Sequence, residues 1–455
     1  MIMTRQFKTI DYEATLDTQV RLGDCLPPSH LARFIVDIVA QLDLKEFYSR
    51  YGKRGGAPYA PEILIGLIVY AYATGVFSSR KIEQATRETA AFRYLAGNLS
   101  PDPNTLSTFR KAFLPQLQGL FVQILLLAQQ TGVLELGNLS LDGTKIHADA
   151  SKSKAVSYKR LQEIQLHLEA EVRELFDLAE KADAGTALPE GMDLPQELAR
   201  REDRLQRLAE AKAVLEARAA ERDAFEQAEY DAKMQERKDV ETKTGKRPGG
   251  KSPTPPLPGP KDEDQYTITD PDSRIMKNSR DQGFGQHYNA QVAVDQDALL
   301  IVGCSLSNHA NDQKEVSPTL SSIPPELGPP KAAALDTGYF WAMNIAALEA
   351  LGIDAYIATG RTPHYSGWKA FFAEAGEEPS EDASPREKMA YKLRTALGKA
   401  IYRRRKCTVE PVIGIIKEVL GFRQFSLRGQ EEVTGEWSLV CLGYNLRRLH
   451  VLLGA

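Results

Sequence analysis

Two short apolar runs that each end on an aspartate constrain this chain more than any other feature: Leu139-Ser140-Leu141-Asp142 and Ala332-Ala333-Ala334-Leu335-Asp336. Each is too short for a helix and breaks into turn-prone residues, Gly143 in one and Thr337-Gly338-Tyr339 in the other, which reads as a buried strand meeting a loop. In sheet proteins ligands gather beyond strand C-terminal ends. A fold that sets these strands side by side therefore brings two carboxylates to one place.

The stretch between them cannot all belong to the same sheet. From Tyr158 to about Lys181 apolar residues recur at Leu161, Ile164, Leu168, Leu175 and Leu178, a heptad-like spacing. After the break AGTALPEGMDLP a second helix carries Leu198, Leu205, Leu208 and Leu215. Two charged helices with a short turn imply an antiparallel hairpin over residues 157–244; one long kinked helix fits the same pattern. Residues 245–265, dense in Pro, Gly and charge, read as a flexible linker. Two β-rich runs then flank Asp295-Gln296-Asp297 as a hairpin. A helix is expected around Trp341–Leu351, a strand at IDAYIAT, a polar loop to Asp382, and helix from Lys388 to Leu453.

Ahead of the first aspartate the chain reads as helices from about Pro28 to Gln130. Leu31, Phe34, Ile35, Ile38, Val39 and Leu42 repeat at helical spacing. Pro61 suits a first helical turn, Gly75 closes that helix, Ser78 or Ser79 caps the next, and PDPNT at 101–105 starts another. Arg80, Lys81, Arg87, Arg93, Arg110 and Lys111 on polar faces suit a helix-turn-helix-like DNA-binding module, and equally an ordinary bundle with solvated charges.

A third acid, Glu410, lies in YRRRKCTVEPVIGIIK. Thr408 as N-cap and Pro411 in the first turn place it at a helix start. Glu410, Gly414 and Lys417 then share one face, with Val412, Ile416 and Val419 on the buried one. Arg403, Arg404, Arg405, Lys406, Lys417, Arg423 and Arg428 form a basic stretch beside it, suited to phosphate oxygens. Asp149 ranks below Asp142 by strand parity, Asp312 is an alternative second acid, and His147 reads as structural.

At 455 residues two or three domains are expected. The net charge of -4 excludes an overall basic coat, so any nucleic-acid surface is local. Four scattered cysteines indicate neither a disulfide framework nor a zinc site and imply a reducing cytoplasm. The N-terminus lacks a signal-peptide core, and ILIGLIVYAYA from Ile63 is shorter than the ~20 residues of a membrane span. Three acids converging near a basic strip suit two divalent cations and phosphodiester cleavage.

In their order these segments resemble the DDE transposases of bacterial insertion sequences. GAPYAPEILIGLIVYAYATGVFSSRKIEQATRETAAFRYLAGNLSPDPNTLSTFRK is similar to the family's helical N-terminal domain, SLDGTKIHADAS to its first-Asp block, and LDTGYF to its second. DPDSRIMK and GFGQHYNAQVAVD are similar to the segments entering the core hairpin, and YRRRKCTVEPVIGIIK with GFRQFSLRG to the Glu block. The family signature Tyr-x2-Arg-x3-Glu-x6-Lys fits at Glu410 and Lys417; Tyr402 and Arg405 stand one residue too far away, and Lys406 occupies the Arg position.

The resemblance implies an α/β fold: an RNase H-like mixed sheet with flanking helices, an all-helical N-terminal domain and a helical hairpin insertion. The expected division is 1–131 for end binding, 132–156 for the first part of the core, 157–244 for the insertion, 245–265 for the linker and 266–455 for the remaining core. It also implies a triad of Asp142, Asp336 and Glu410 holding Mg²⁺, with Mn²⁺ as a substitute. Expected partners are double-stranded DNA at terminal inverted repeats and target, and a second copy of the chain in a homodimer. The expected location is the cytoplasm, at the nucleoid and not a membrane. A non-catalytic DNA-binding repressor and a nuclease that never joins ends are the rival expectations.

Overall fold

The computed structural model describes residues 21–51, 58–151, 155–183, 193–245, 249–250, 252–278, 283–360 and 376–454. A helical layer comes first: α1 (Leu31–Val39), α2 (Lys45–Ser49), α3 (Pro61–Ala73), α4 (Ser79–Glu88), α5 (Ala90–Leu95), α6 (Pro103–Ala112) and α7 (Leu114–Gln130). Downstream come β1 (Asn138–His147), β2 (Ala155–Ser157), α8 (Tyr158–Asp183), α9 (Leu194–Thr244), β3 (Gln265–Thr267), β4 (Arg274–Asn278), β5 (Gly283–Asp295) and β6 (Ile301–Ser307). They are followed by α10 (Val316–Ser321), β7 (Ala332–Leu335), α11 (Ala342–Ala350), β8 (Asp354–Ile357), α12 (Pro385–Arg394), α13 (Ala396–Gly414) and α14 (Gln430–Leu452). Among the described residues no single helix is long and apolar enough to cross a membrane.

The helical layer forms where the sequence signals lie. Pro61 opens α3, and the Asp102 carboxylate accepts the N–H groups of Asn104 and Thr105 to cap α6. Ser78 stands at the N-cap of α4, but its hydroxyl makes no capping bond. From Leu64 to Ala73 every residue of α3 is buried, so this helix is the middle of the layer. Arg110, expected on a polar face, is buried instead.

The sheet is mixed. β1 runs antiparallel to β5 and parallel to β7, and β8 extends the parallel part. β5 is long enough to carry two partners on its other edge, β4 along its first residues and β6 along its later ones. The expected hairpin is β5–β6, with a bulge at Ala293/Val294. The parallel strands require crossovers, which α10 and α11 provide. Helices cover both faces of β5, so it is buried continuously from Gln286 to Asp295 and does not alternate.

The insertion is an antiparallel hairpin: Tyr158 meets Glu216 and Glu171 meets Arg201, around a small core of Leu161, Leu168, Leu208, Ala211 and Leu215. β2 and β3 pair at its base. α9 is 51 residues long, roughly 76 Å at 1.5 Å per residue, so it continues well past its partner. The linker is partly fastened to it: Asp223 accepts the Gly259 N–H and Arg222 donates to the Gly259 carbonyl. Further along, the Phe225 ring meets Trp341, and Lys314 sits 3.6 Å over the same ring.

α14 joins the two halves. It packs against α3 and α7 on one side and β6 on the other. Gly443 permits a close approach to α3, since a Cβ there would lie 2.9 Å from backbone atoms of Tyr72 and Ala73. The helical layer and the sheet consequently share one continuous hydrophobic core.

Candidate active site

The three carboxylates singled out in the sequence surround one guanidinium. Arg405 Nη1 lies 2.9 Å from Asp142 Oδ2, and Nη2 lies 3.9 Å from Asp336 and 3.8 Å from Glu410. Each comes from a different element. Asp142 is in the middle of β1, which continues to His147 and does not end at the aspartate. Asp336 follows β7, and its side chain accepts the Gly338 N–H at 2.7 Å, capping a short 3₁₀ turn over Thr337–Tyr339. Glu410 is on α13, which is held to β1 by a 2.8 Å hydrogen bond from the Thr408 hydroxyl to Ser140 Oγ.

Glu410 is not at a helix start. α13 begins at Ala396 behind Thr395, and Pro411 is inside the helix. Proline there removes the N–H that the Cys407 carbonyl would use. Both residues face solvent, where water can take that bond. The next turn, Ile415–Val419, is a π-helix. That extra residue per turn rotates Val419 outward, to 59% exposure, while Val412 and Ile416 stay buried as expected.

Electrostatics distinguish the three acids. Burial pushes the Asp142 carboxyl up to about 6; Arg405 opposes the shift, and Asp336 and Asp312 add to it. The Glu410 side chain is 48% exposed and its only described partner at short range is Arg405. Arg405 also donates to the Tyr402 hydroxyl. The expected signature residues Tyr402 and Arg405 thus meet at the site despite their extra residue of spacing.

The basic residues fall into separate groups. Arg405 is buried among the acids, where it cannot also lie on an outer surface. Lys417 donates to Thr144 Oγ1 at 2.6 Å and to the Lys145 carbonyl at 2.9 Å, fastening the π turn to β1. Arg404 pairs with Asp297 at 2.7 Å, Arg423 with Glu418, and Arg428 with Asp149 at 2.8 Å. Arg403 and Lys406 are exposed on α13.

Asp149 lies beyond β1, so strand parity does not govern it, and its partner Arg428 holds it. His147 stacks on His287, ring centroids 4.1 Å apart, and its backbone bonds to Arg423 and Phe425. Asp312 is close enough to raise the Asp142 pKa, but sits behind the sheet with Lys145.

Sequence reasoning did not find what lies behind Asp142. A Cβ on Gly143 would strike the Gln291 amide, which crosses under β1 at that point. The Asp-Gly pair, read as a turn signal, is a space requirement.

Two family models match the chain: a transposase domain (DUF772) over residues 20–112, and a transposase DDE domain over residues 378–450. The first covers the helical layer through α6, the second α13, Glu410 and most of α14. Comparison with curated proteins and with solved structures gives no significant match. The two domain matches, in this order on one chain, agree with each other and support an insertion-sequence DDE transposase.

Proposed function

We propose that this DNA transposase cuts and joins DNA with Asp142, Asp336 and Glu410 as a triad for divalent cations, Mg²⁺ with Mn²⁺ as a substitute. The observation that carries the reading is the convergence of all three carboxylates on Arg405. The strand order supports an RNase H-like core: β6, β5, β1, β7 and β8 in sequence across the sheet, with β5 antiparallel to β1 and β7 and β8 parallel to it.

The donor set fits hard cations, because it consists of carboxylate oxygens around a group that is already cationic. Among the described residues no three acidic, His or Cys side chains are drawn in as closely as direct ligands of one ion. Their spacing is that of a guanidinium-filled site, and Arg405 acts as the stand-in charge. When bound, two divalent ions would acidify an attacking water or 3′-hydroxyl and stabilise the leaving oxygen. The chain's own residues do the rest. Asp142 holds the central position and must be ionised, Asp336 is oriented by the Gly338 N–H, and Glu410 faces outward toward a substrate strand. Arg405 releases the carboxylates as they take other partners.

Residues 1–131 bind the terminal inverted repeats in this reading, through exposed Arg80, Lys81, Arg87, Arg93 and Lys111. Arg403 and Lys406, beside Glu410, grip the DNA backbone. Arg404, Lys417, Arg423 and Arg428 contribute after exchanging their present partners. A homodimer pairs the two element ends. A complete, convergent triad favours catalysis over a repressor lacking it. The test is cleavage of an end-containing duplex in Mg²⁺: Asp142→Asn abolishes nicking and leaves end binding intact. Retained nicking by this variant would overturn the triad.

A further inference from the structure

On the face of the sheet opposite Arg405 and Glu410 lies a closed polar web. Gln291 faces it because it pairs with Gly143, one residue out of phase with Asp142. Its Nε2 donates to Asn289 Oδ1 at 3.0 Å and to Asp312 Oδ1 at 2.9 Å, and its Oε1 accepts the Tyr339 hydroxyl. Asn289 donates to the same Asp312 oxygen at 2.8 Å, and Lys145 Nζ stands 3.6 Å from it. Asn344 then ties the Tyr339 carbonyl to that of Gln313, at 2.9 and 2.8 Å.

The web joins the two strands that carry the aspartates. Gln291 passes under Gly143, the neighbour of Asp142, while Tyr339 is three residues beyond Asp336, in the turn that Asp336 caps. Tyr339 is fully buried, and burial with the nearby acids keeps its hydroxyl protonated and able to donate. Asn289, Gln291 and Lys145 all meet Asp312 at Oδ1. Its Oδ2 lies 3.5 Å from where a Cβ on Gly338 would stand, and Asp336 Oδ1 lies 3.0 Å from the same point. Gly338 thus leaves a gap between the second aspartate and Asp312.

We infer that Asp312, acting through Gln291 and Tyr339, is a positioning residue of this site that fixes Asp336 relative to Asp142 from behind the sheet. Rigid geometry of this kind decides how well separate carboxylates hold a cation, because supporting hydrogen bonds orient the ligands. The inference rests on the triad reading above and deepens it.

The test compares Tyr339→Phe and Asp312→Asn with Asp142→Asn and Asp336→Asn in the full chain. Mn²⁺ affinity without DNA is read by calorimetry, and nicking is read with kcat and KM separated. Tyr339→Phe and Asp312→Asn are expected to weaken Mn²⁺ binding roughly tenfold, within the range for lost supporting partners. They should lower kcat with KM for DNA unchanged, and recover nicking at high Mn²⁺, which a general loss of stability would not do. Unchanged Mn²⁺ affinity and kcat in the folded variants would overturn the inference, as would loss of the folded state in both. If Asp142→Asn and Asp336→Asn also change nothing, the triad itself fails; if they abolish nicking while the other two are silent, only the positioning role fails.

Discussion

Arg110 and Arg405 are both buried beside acidic side chains, yet the carboxylates around them are satisfied to very different degrees. Glu436, near Arg110, is fully buried and accepts four hydrogen bonds: from Ser426 N and Leu427 N at 2.9 Å each, from the Ser426 hydroxyl, and from Tyr72 at 3.3 Å. Arg110 completes the group by donating to the Tyr72 hydroxyl at 3.0 Å and the Phe77 carbonyl at 3.3 Å. A carboxylate has about four lone-pair sites, so this one is saturated. Asp142, Asp336 and Glu410 divide two backbone N–H groups and one guanidinium among three carboxylates, and two of the guanidinium contacts are longer than a hydrogen bond. The first cluster is closed and holds the helical layer to α14. The second is short of donors and positive charge, as the proposed cation site requires.

The sharpest way to break this contrast is Glu436→Ala. It strands two N–H groups and two hydroxyls and removes the counter-charge near the buried Arg110 guanidinium, and should cost about 3–5 kcal/mol in urea unfolding. A loss below about 1 kcal/mol would make the closed cluster incidental to stability. Asp142→Asn should do the reverse in metal-free protein. Its folded pKa of about 6 is above the unfolded value near 3.8, so ionising Asp142 disfavours folding. That stability is fully present below the unfolded value and is lost as pH rises through about 6. The variant should therefore be more stable than the parent by roughly 2–3 kcal/mol at pH 8 and equal to it below the unfolded pKa. A variant less stable at every pH would contradict this.

Arg405→Gln sharpens the comparison from the other side. Without the guanidinium three acids face one another, so metal-free stability should fall by about 1–3 kcal/mol. Mg²⁺ should then raise the thermal midpoint of the variant more than that of the parent, and chelation should reverse the gain. The smallest effect tests whether the open cluster feels the insertion. A double-mutant cycle on Phe225 and Trp341 should give a coupling of about 0.5–1.5 kcal/mol. A coupling near zero would make the seat of α9 beside the second aspartate a chance contact.

Local pattern was enough for much of this. The run before Asp142, the run before Asp336, the β5–β6 hairpin and the leucines of the insertion all reflect periodicity or turn chemistry within a few residues. The errors came from contacts distant in sequence. Arg405 looked like one more residue of a basic run because nothing nearby reveals that Asp142, 263 positions away, is its partner. Arg110 looked solvated because Tyr72 and Glu436 lie elsewhere in the chain. Pro411 suggested a helix start because that is its commonest helical position. Here solvent around Cys407 lets it stand inside α13, and the π turn after it moved Val419 to the surface. The domain division was read from sequence alone, and α14 binds its first and last parts into one core.

That last helix has a consequence for how the protein is made. α14 supplies a wall to both α3 and α7 and a cover to β6, yet it is synthesised after all of them. While the chain is still being translated, the faces of α3 and α7 that α14 later covers stay open, so the helical layer is not finished ahead of the sheet as an early domain ordinarily would be. A product terminated before Gln430 would carry both aspartates and Glu410 with their surroundings open. Synthesis of α14 is thus the event that encloses the three carboxylates in a finished core.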